Sequence, residues 1–258
     1  MDFLQNTQKP VGDEGWTMVE TMNRNHEPLA VWGFGFLDIP ADGDCLDLGC
    51  GGGANVRRLL RLSERGRVVG LDHSEVSVEA TGRLNSEEMS AGRCEVVLGD
   101  VSSLPFRDSS FDVVTAFETV YFWPDPVRAF SEVRRVLRDG GVFIICNESD
   151  GSRPDDGELM SRIDGYVPRP SEVLAAMLGD AGFRDVDVHS VPERHWIALL
   201  ARRRFLYRRR GIVRPWILSR KGSRNSSASA TRSSSRTTTA CRRCRTSPTR
   251  SGTRSASP

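Results

Sequence analysis

The sequence predicts a doubly wound α/β fold, a mostly parallel sheet with helices on both faces. The first observation is a series of five short apolar runs: CLDLG (45–49), RVVGLD (67–72), CEVVLGD (94–100), FDVVTAF (111–117) and GVFIIC (141–146). Each is bounded by Gly, Asp or Ser and most are rich in Val, Ile, Leu or Phe, as strands buried on both faces are. The second is that amphipathic stretches separate several of these runs. Alternation of this kind favours parallel strands joined by crossover helices.

The elements follow in order. Ala54–Arg65 places Val56, Leu59 and Leu60 near one helical face. Ser74 is suited to an N-cap, with Glu75 and Glu79 near the start of the helix behind it. Pro126–Arg138 sets Val127, Phe130, Val133 and Leu137 at i, i+3, i+4 spacing. Ser149–Pro170 reads as a polar loop, and Ser171–Ala181 as a helix stopped by Gly182. Two β-leaning runs, Asp185–Val191 and His195–Ala201, are joined by Pro192-Glu193, a link short enough for antiparallel pairing. No internal repeat of 20–50 residues is visible.

Composition bounds the function classes. The chain has 258 residues, 38% hydrophobic and 27% charged, with a formal net charge of +2. That balance conceals two unlike pieces. Residues 1–193 hold all 34 acids and 18 of the 36 basic residues, a net −16, whereas residues 194–258 hold 18 basic residues and no acid. No apolar run approaches the roughly 18–20 residues that span a bilayer. The start, MDFLQNTQKPVGDEG, lacks the apolar stretch of a secretory signal. Six cysteines are too sparse for a disulfide scaffold, and Cys241 and Cys244 form a lone CxxC without the second pair of a zinc site. The expectation is a reduced, cytoplasmic protein without a metal. From Ser219 onward, 28 of 40 residues are Ser, Arg or Thr. Such a segment buries too little apolar surface to offset the cost of ordering, and it reads as disordered.

The chemistry concentrates at Asp47-Leu48-Gly49-Cys50-Gly51-Gly52-Gly53, which ends the first strand and opens the first helix. Glycines let the backbone turn sharply and approach a ligand closely. The helix start adds free N–H groups and a positive dipole end. An acid, Asp72, ends the next strand 21 residues after Gly51, where a carboxylate can accept both ribose hydroxyls of a nucleoside. Gly99-Asp100-Val101 ends the third strand and offers a carboxylate to an adenine amino group.

On CLDLGCGGG, VVGLDHS, LGDVSSLPFRDSSFDVV and FIICNE, the stretch from about Gly15 to Arg203 resembles class I S-adenosylmethionine-dependent methyltransferases of the small-molecule type. The resemblance implies a Rossmann-like seven-stranded sheet with the last strand antiparallel. With the composition, this divides the chain into three regions: an N-terminal helical cover (1–40), a methyltransferase domain (41–203) and the basic tail (204–258), expected to be disordered. MNRNHEPLAVWG (22–33) resembles a helix that some members fold over the cofactor. In the family, Asp47 and the glycine loop (Gly49, Cys50, Gly51, Gly53) fall where the methionine end is held. Asp72 falls at the ribose, and Asp100 and Val101 at the adenine. His73 adds a flat ring that can pack against the base. The segment Glu118–Trp123 falls at the methyl end, with Glu118 toward the cofactor and Tyr121 and Trp123 toward the substrate.

A nicotinamide dehydrogenase also pairs a glycine turn with a ribose acid. Asp47, two residues before the first glycine, would repel a pyrophosphate and welcome an amino group, and Asp100 adds another acid. S-Adenosylmethionine is therefore the expected cofactor and a small molecule the expected acceptor. Methyl transfer demands mainly positioning, with a base only where the acceptor must lose a proton. Candidates for that base are His26, Glu118, Tyr121, Glu148 and His195. Neither the acceptor nor the oligomeric state is written in the sequence. The competing expectation is a nucleic-acid-associated protein acting through its arginines and aromatics at 202–220, with a body that binds the cofactor without catalysis.

Overall fold

The computed structural model describes Phe3–Arg204; most of the basic tail, with its expected disorder and its CxxC, lies outside the described residues. Helices α1 (Gly12–Asn25) and α2 (Glu27–Phe34) precede strand β1 (Cys45–Leu48). There follow α3 (Ala54–Leu62), β2 (Val68–Asp72), α4 (Glu75–Leu84), α5 (Ser86–Ser90), β3 (Cys94–Leu98) and β4 (Phe111–Phe117). The second half holds α6 (Pro126–Val136), β5 (Leu137–Asn147), α7 (Asp156–Arg162), α8 (Ser171–Asp180), β6 (Asp185–Val191) and β7 (Trp196–Arg202). The sheet has seven strands in the order β3-β2-β1-β4-β5-β7-β6, and β7 alone runs antiparallel to its neighbours.

Period-2 alternation divides the core between two faces. Leu46, Leu48, Val69, Leu71, Val114, Ala116, Phe143 and Ile145 pack toward α6 and α8. Cys45, Val68, Val113, Phe117, Ile144 and Cys146 pack toward α2 and α3. Burial on both sides explains why these strands read as apolar runs. Among the described residues no helix is long and apolar enough to cross a membrane.

The structure departs from the sequence reading at several ends. The first crossover helix stops at Leu62, where the Ser63 hydroxyl donates to the Gly43 carbonyl at 2.6 Å. The helix expected to reach Arg138 stops at Val136, because Arg138 is drawn into ion pairs with Asp44 (2.6 Å) and Asp112 at the N-terminal ends of β1 and β4. The polar loop 149–170 contains α7, tied down by the buried Asp156. The link between the last two strands is a 3-10 turn over Pro192–Arg194, and His195 lies in that link with φ 58° rather than opening β7. The stretch 22–33 is not one helix: the chain breaks at His26 (φ −88°, ψ 2°) and restarts as α2.

Helix α2 does more than cover the domain. Leu29 and Ala30 are buried in the core, and Phe34 stacks on Phe117 with ring centroids 5.0 Å apart. A Cβ on Gly33 would come within 2.7 Å of Cys146 Sγ and of the Phe117 ring, so glycine permits this close helix–sheet contact.

Candidate functional site

The C-terminal ends of β1, β2 and β4 and the loop after β3 open on one cavity of about 250 Å³. It lies where the sheet order reverses, between β1 and β4, the usual ligand crevice of an open α/β sheet. Gly49, Gly51 and Gly53 all take positive φ (69°, 52° and 82°), a region costly for any residue with a Cβ. The loop is held by hydrogen bonds from the Gly49 and Cys50 N–H groups to the Leu71 carbonyl (2.8 and 3.1 Å). The Asp72 carboxylate completes the tie, accepting from Gly51 N–H through Oδ2 and from Ser74 N–H through Oδ1, both at 2.9 Å. Burial raises the Asp72 pKa, and these two bonds pull against it.

Of the sequence-predicted cofactor residues, Gly49, Cys50, Gly51, Asp72, His73, Asp100, Val101 and Glu118 line the cavity. Asp47 and Gly53 do not. Asp47 lies beneath the glycine loop, 2% exposed, and accepts from Thr115 Oγ1 at 2.6 Å. Burial there pushes its carboxyl up to about 7. Gly53 is turned into the α3 N-terminus, where a Cβ would meet the Thr81 backbone at 2.8 Å. Cys50 is buried with its thiol pushed up by desolvation, so it is not poised as a nucleophile. Asp100 is exposed, and its bond from Ser102 N–H (2.7 Å) holds its carboxyl below the usual range.

At the other end, Trp123 lines the cavity, with its indole N–H donating to Thr119 Oγ1 at 3.3 Å. Tyr121, expected at the substrate, is buried behind the wall instead. Its hydroxyl donates to Glu118 Oε1 (3.1 Å) and accepts from Ser149 N–H (2.9 Å). Of the candidate bases, His26 and Glu118 line the cavity. His195 does not, because its turn places Nδ1 3.0 Å from Ser152 Oγ and 3.5 Å from Asp150.

The N-terminal segment, expected as a cover, supplies part of the wall through contacts that the sequence did not reveal. Asn23 Nδ2 donates to the Gly52 carbonyl at 2.9 Å, and Gly52 has no room for a Cβ against it. The Gln8 carbonyl lies 2.9 Å from His73 Nε2, and the Pro10 carbonyl accepts from Ser74 Oγ at 2.6 Å. These partners lie 29 to 65 residues apart, and no local pattern marks them.

The donor set fits a nucleoside with a positive methionine end. Asp72 and Asp100 offer acceptors to hydroxyl and amino groups. Arg58 is the one guanidinium lining the cavity among the described residues, and it is already committed to Glu27 (2.6 Å) and Asn55 (2.8 Å). A pyrophosphate would find little countercharge here.

A methyltransferase-domain family matches residues 46–145. Cycloartenol-C-24-methyltransferase 1 of Oryza sativa is 32% identical over 131 residues, covering 51% of this chain and 37% of that protein. The O-methyltransferase cnsE of Penicillium expansum is 31% identical over 158 residues, covering 60% and 57%. The chain thus spans less than two thirds of these relatives' length. Among solved structures, a SAM-dependent methyltransferase from Aquifex aeolicus superposes with TM-score 0.58 at 20% identity, over 73% of this chain and 98% of that one. Human N-acetylserotonin methyltransferase in complex with SAM gives 0.60 at 18% identity, over 74% and 56%. At such identities the likeness is one of fold. Residues 46–145 thus match a methyltransferase domain, and the glycine cradle and the strand-end acids of the cavity lie within that match.

Proposed function

We propose that the protein transfers a methyl group from S-adenosylmethionine to a small-molecule acceptor. One observation carries this reading: the glycine turn, Asp72, Asp100 and the 118–123 segment, dispersed over 75 residues of sequence, border a single cavity. S-Adenosylmethionine supplies an activated methyl on a sulfonium, with S-adenosylhomocysteine as the leaving group. The chain's own work is then positioning and exclusion of water. In this reading Asp72 accepts from the ribose, Asp100 and Val101 read the adenine, and the positive-φ turn holds the methionine end. Phe117, Phe122 and Trp123 supply an apolar wall for the acceptor, which favours a small organic molecule over an extended polymer. The curated relatives named for sterol and O-methyl transfer support an acceptor of that size.

The test is calorimetry on the full-length protein with S-adenosylmethionine, S-adenosylhomocysteine and NADH. Saturable heat with the first two and none with NADH is expected. Tight NADH binding without heat from either sulfur nucleotide would overturn the reading. Labelled methyl transfer into a metabolite extract then locates the acceptor.

A further inference from the structure

Resting on that reading, we propose that His26 is the general base of the reaction and that Glu118 is its positioning residue. The acceptor is accordingly a protic one that surrenders a hydroxyl or ammonium proton. Three separated segments build the pair. His26 sits at the break between α1 and α2, outside either helix, and faces the cavity. Glu118 follows β4 with φ 58°, a left-handed conformation that costs a residue with a Cβ about 1–2 kcal/mol. Strain of this kind persists where surrounding structure enforces it, and it concentrates at functional sites.

The enforcing contacts are specific. Glu118 Oε1 accepts from the Glu148 N–H and from the Tyr121 hydroxyl. Tyr121 is in turn held by Ser149 N–H, and Ser149 Oγ donates to the buried Asp156 on α7 at 2.7 Å. With Oε1 occupied twice, Oε2 is left toward His26 Nε2, 3.9 Å away. That is too long for a hydrogen bond, and bases in ligand-free sites commonly tighten when substrate binds.

Glu148, after β5, brings a polar atom within 4.8 Å of both residues, but its carboxylate is also paired with Arg153 at 3.1 Å. Glu27 on α2 is paired with Arg58 on α3. Burial lowers the basicity of His26 and the Glu148 charge pulls it back up, while burial and the same Glu148 charge raise the proton affinity of Glu118. As the acceptor heteroatom bonds to the methyl carbon, the carbon–sulfur bond breaks and its electron pair stays on sulfur. The acceptor's proton passes to His26 Nε2, and the imidazolium is stabilised by Glu118. Two carboxylates at this end also disfavour an anionic acceptor.

The test uses full-length wild type, His26→Asn, Glu118→Gln and Tyr121→Phe. Imidazole NMR resolves the four histidines, with His26 assigned from the His26→Asn spectrum. In Glu118→Gln the His26 titration should move down by about one pH unit, because the carboxylate that favours imidazolium is gone. An unmoved titration would overturn the pairing, and the readout needs no acceptor. Calorimetry with S-adenosylhomocysteine should give Kd within about threefold in the wild type and in Tyr121→Phe. Absence of binding in wild type would instead sink the cofactor reading. With labelled S-adenosylmethionine and a panel of small phenols, alcohols and primary amines, kcat should fall about 100-fold or more in His26→Asn. In Glu118→Gln the acid limb of the pH profile should shift downward. Undiminished kcat in His26→Asn, or turnover abolished by EDTA and restored by Mn²⁺ or Zn²⁺, would overturn the proposal. Tyr121→Phe, which leaves both members in place but removes one tie on Glu118, should show an intermediate loss of kcat with KM unchanged.

Discussion

The two ends of the cavity are built by different rules. The proposed cofactor end is local: one glycine turn tied to the acid that ends β2, and one acid beyond β3 held by Ser102 two residues further on. The proposed acceptor end is assembled from the α1–α2 break, the residue after β4, the end of β5 and helix α7. A ligand shared by a whole fold class can be recognised by a contiguous motif. A feature particular to one protein comes from distant segments that only packing brings together.

Substitutions can break or sharpen this contrast. The largest effect is expected beneath the cofactor end. Asp47 has its pKa raised from an ordinary 3.8 to about 7 by burial, so the folded state prefers the protonated form. Its contribution is complete at low pH and is lost as pH climbs through about 4 to 7, at most about 4 kcal/mol. Urea unfolding across that range should show stability falling with pH, and Asp47→Asn should flatten the fall. An identical slope in the variant would mean that Asp47 is ionised throughout.

Next comes Gly49→Ala, which places a Cβ at positive φ and within 2.3 Å of Thr119 Oγ1. Strain of about 1–2 kcal/mol plus that clash should weaken S-adenosylhomocysteine at least tenfold by calorimetry. Unchanged affinity would show that the turn is not part of the binding surface. Tyr121→Phe at the acceptor end should cost about 1–2 kcal/mol of unfolding free energy, since it leaves the buried Ser149 N–H without its acceptor. Loss of cofactor affinity in that variant would erase the distinction between the ends. The smallest effect is expected at Asp100→Asn. Its carboxylate is exposed, and its removal should change cofactor affinity by under about 1 kcal/mol in the same calorimetric measurement. A larger loss would make Asp100 a principal anchor.

The relation between sequence and structure follows the same division. The five apolar runs and Asp72 stand where the sequence expected them, because burial on both faces and a strand-ending acid leave local signatures. The ends of α3 and α6 were less legible, since Ser63 and Arg138 stop those helices by bonding residues far away in the chain. Tyr121 and His195 were misplaced for a related reason. An aromatic next to a pocket-lining residue can face either way, and the turn that removes His195 from β7 depends on Ser152 and Asp150.

From its residues alone, the chain determined its alternation of strands and helices, its glycine cradle and the chemical kind of cofactor that cradle suits. These are set by side-chain period and by backbone freedom within a few residues. Tertiary structure decided that Asp47 lies beneath the loop, that α2 joins the core, and that His26 meets Glu118 across 92 residues of chain. Such contacts depend on how whole elements pack, and packing is a property of pairs of distant surfaces that no short stretch of sequence contains.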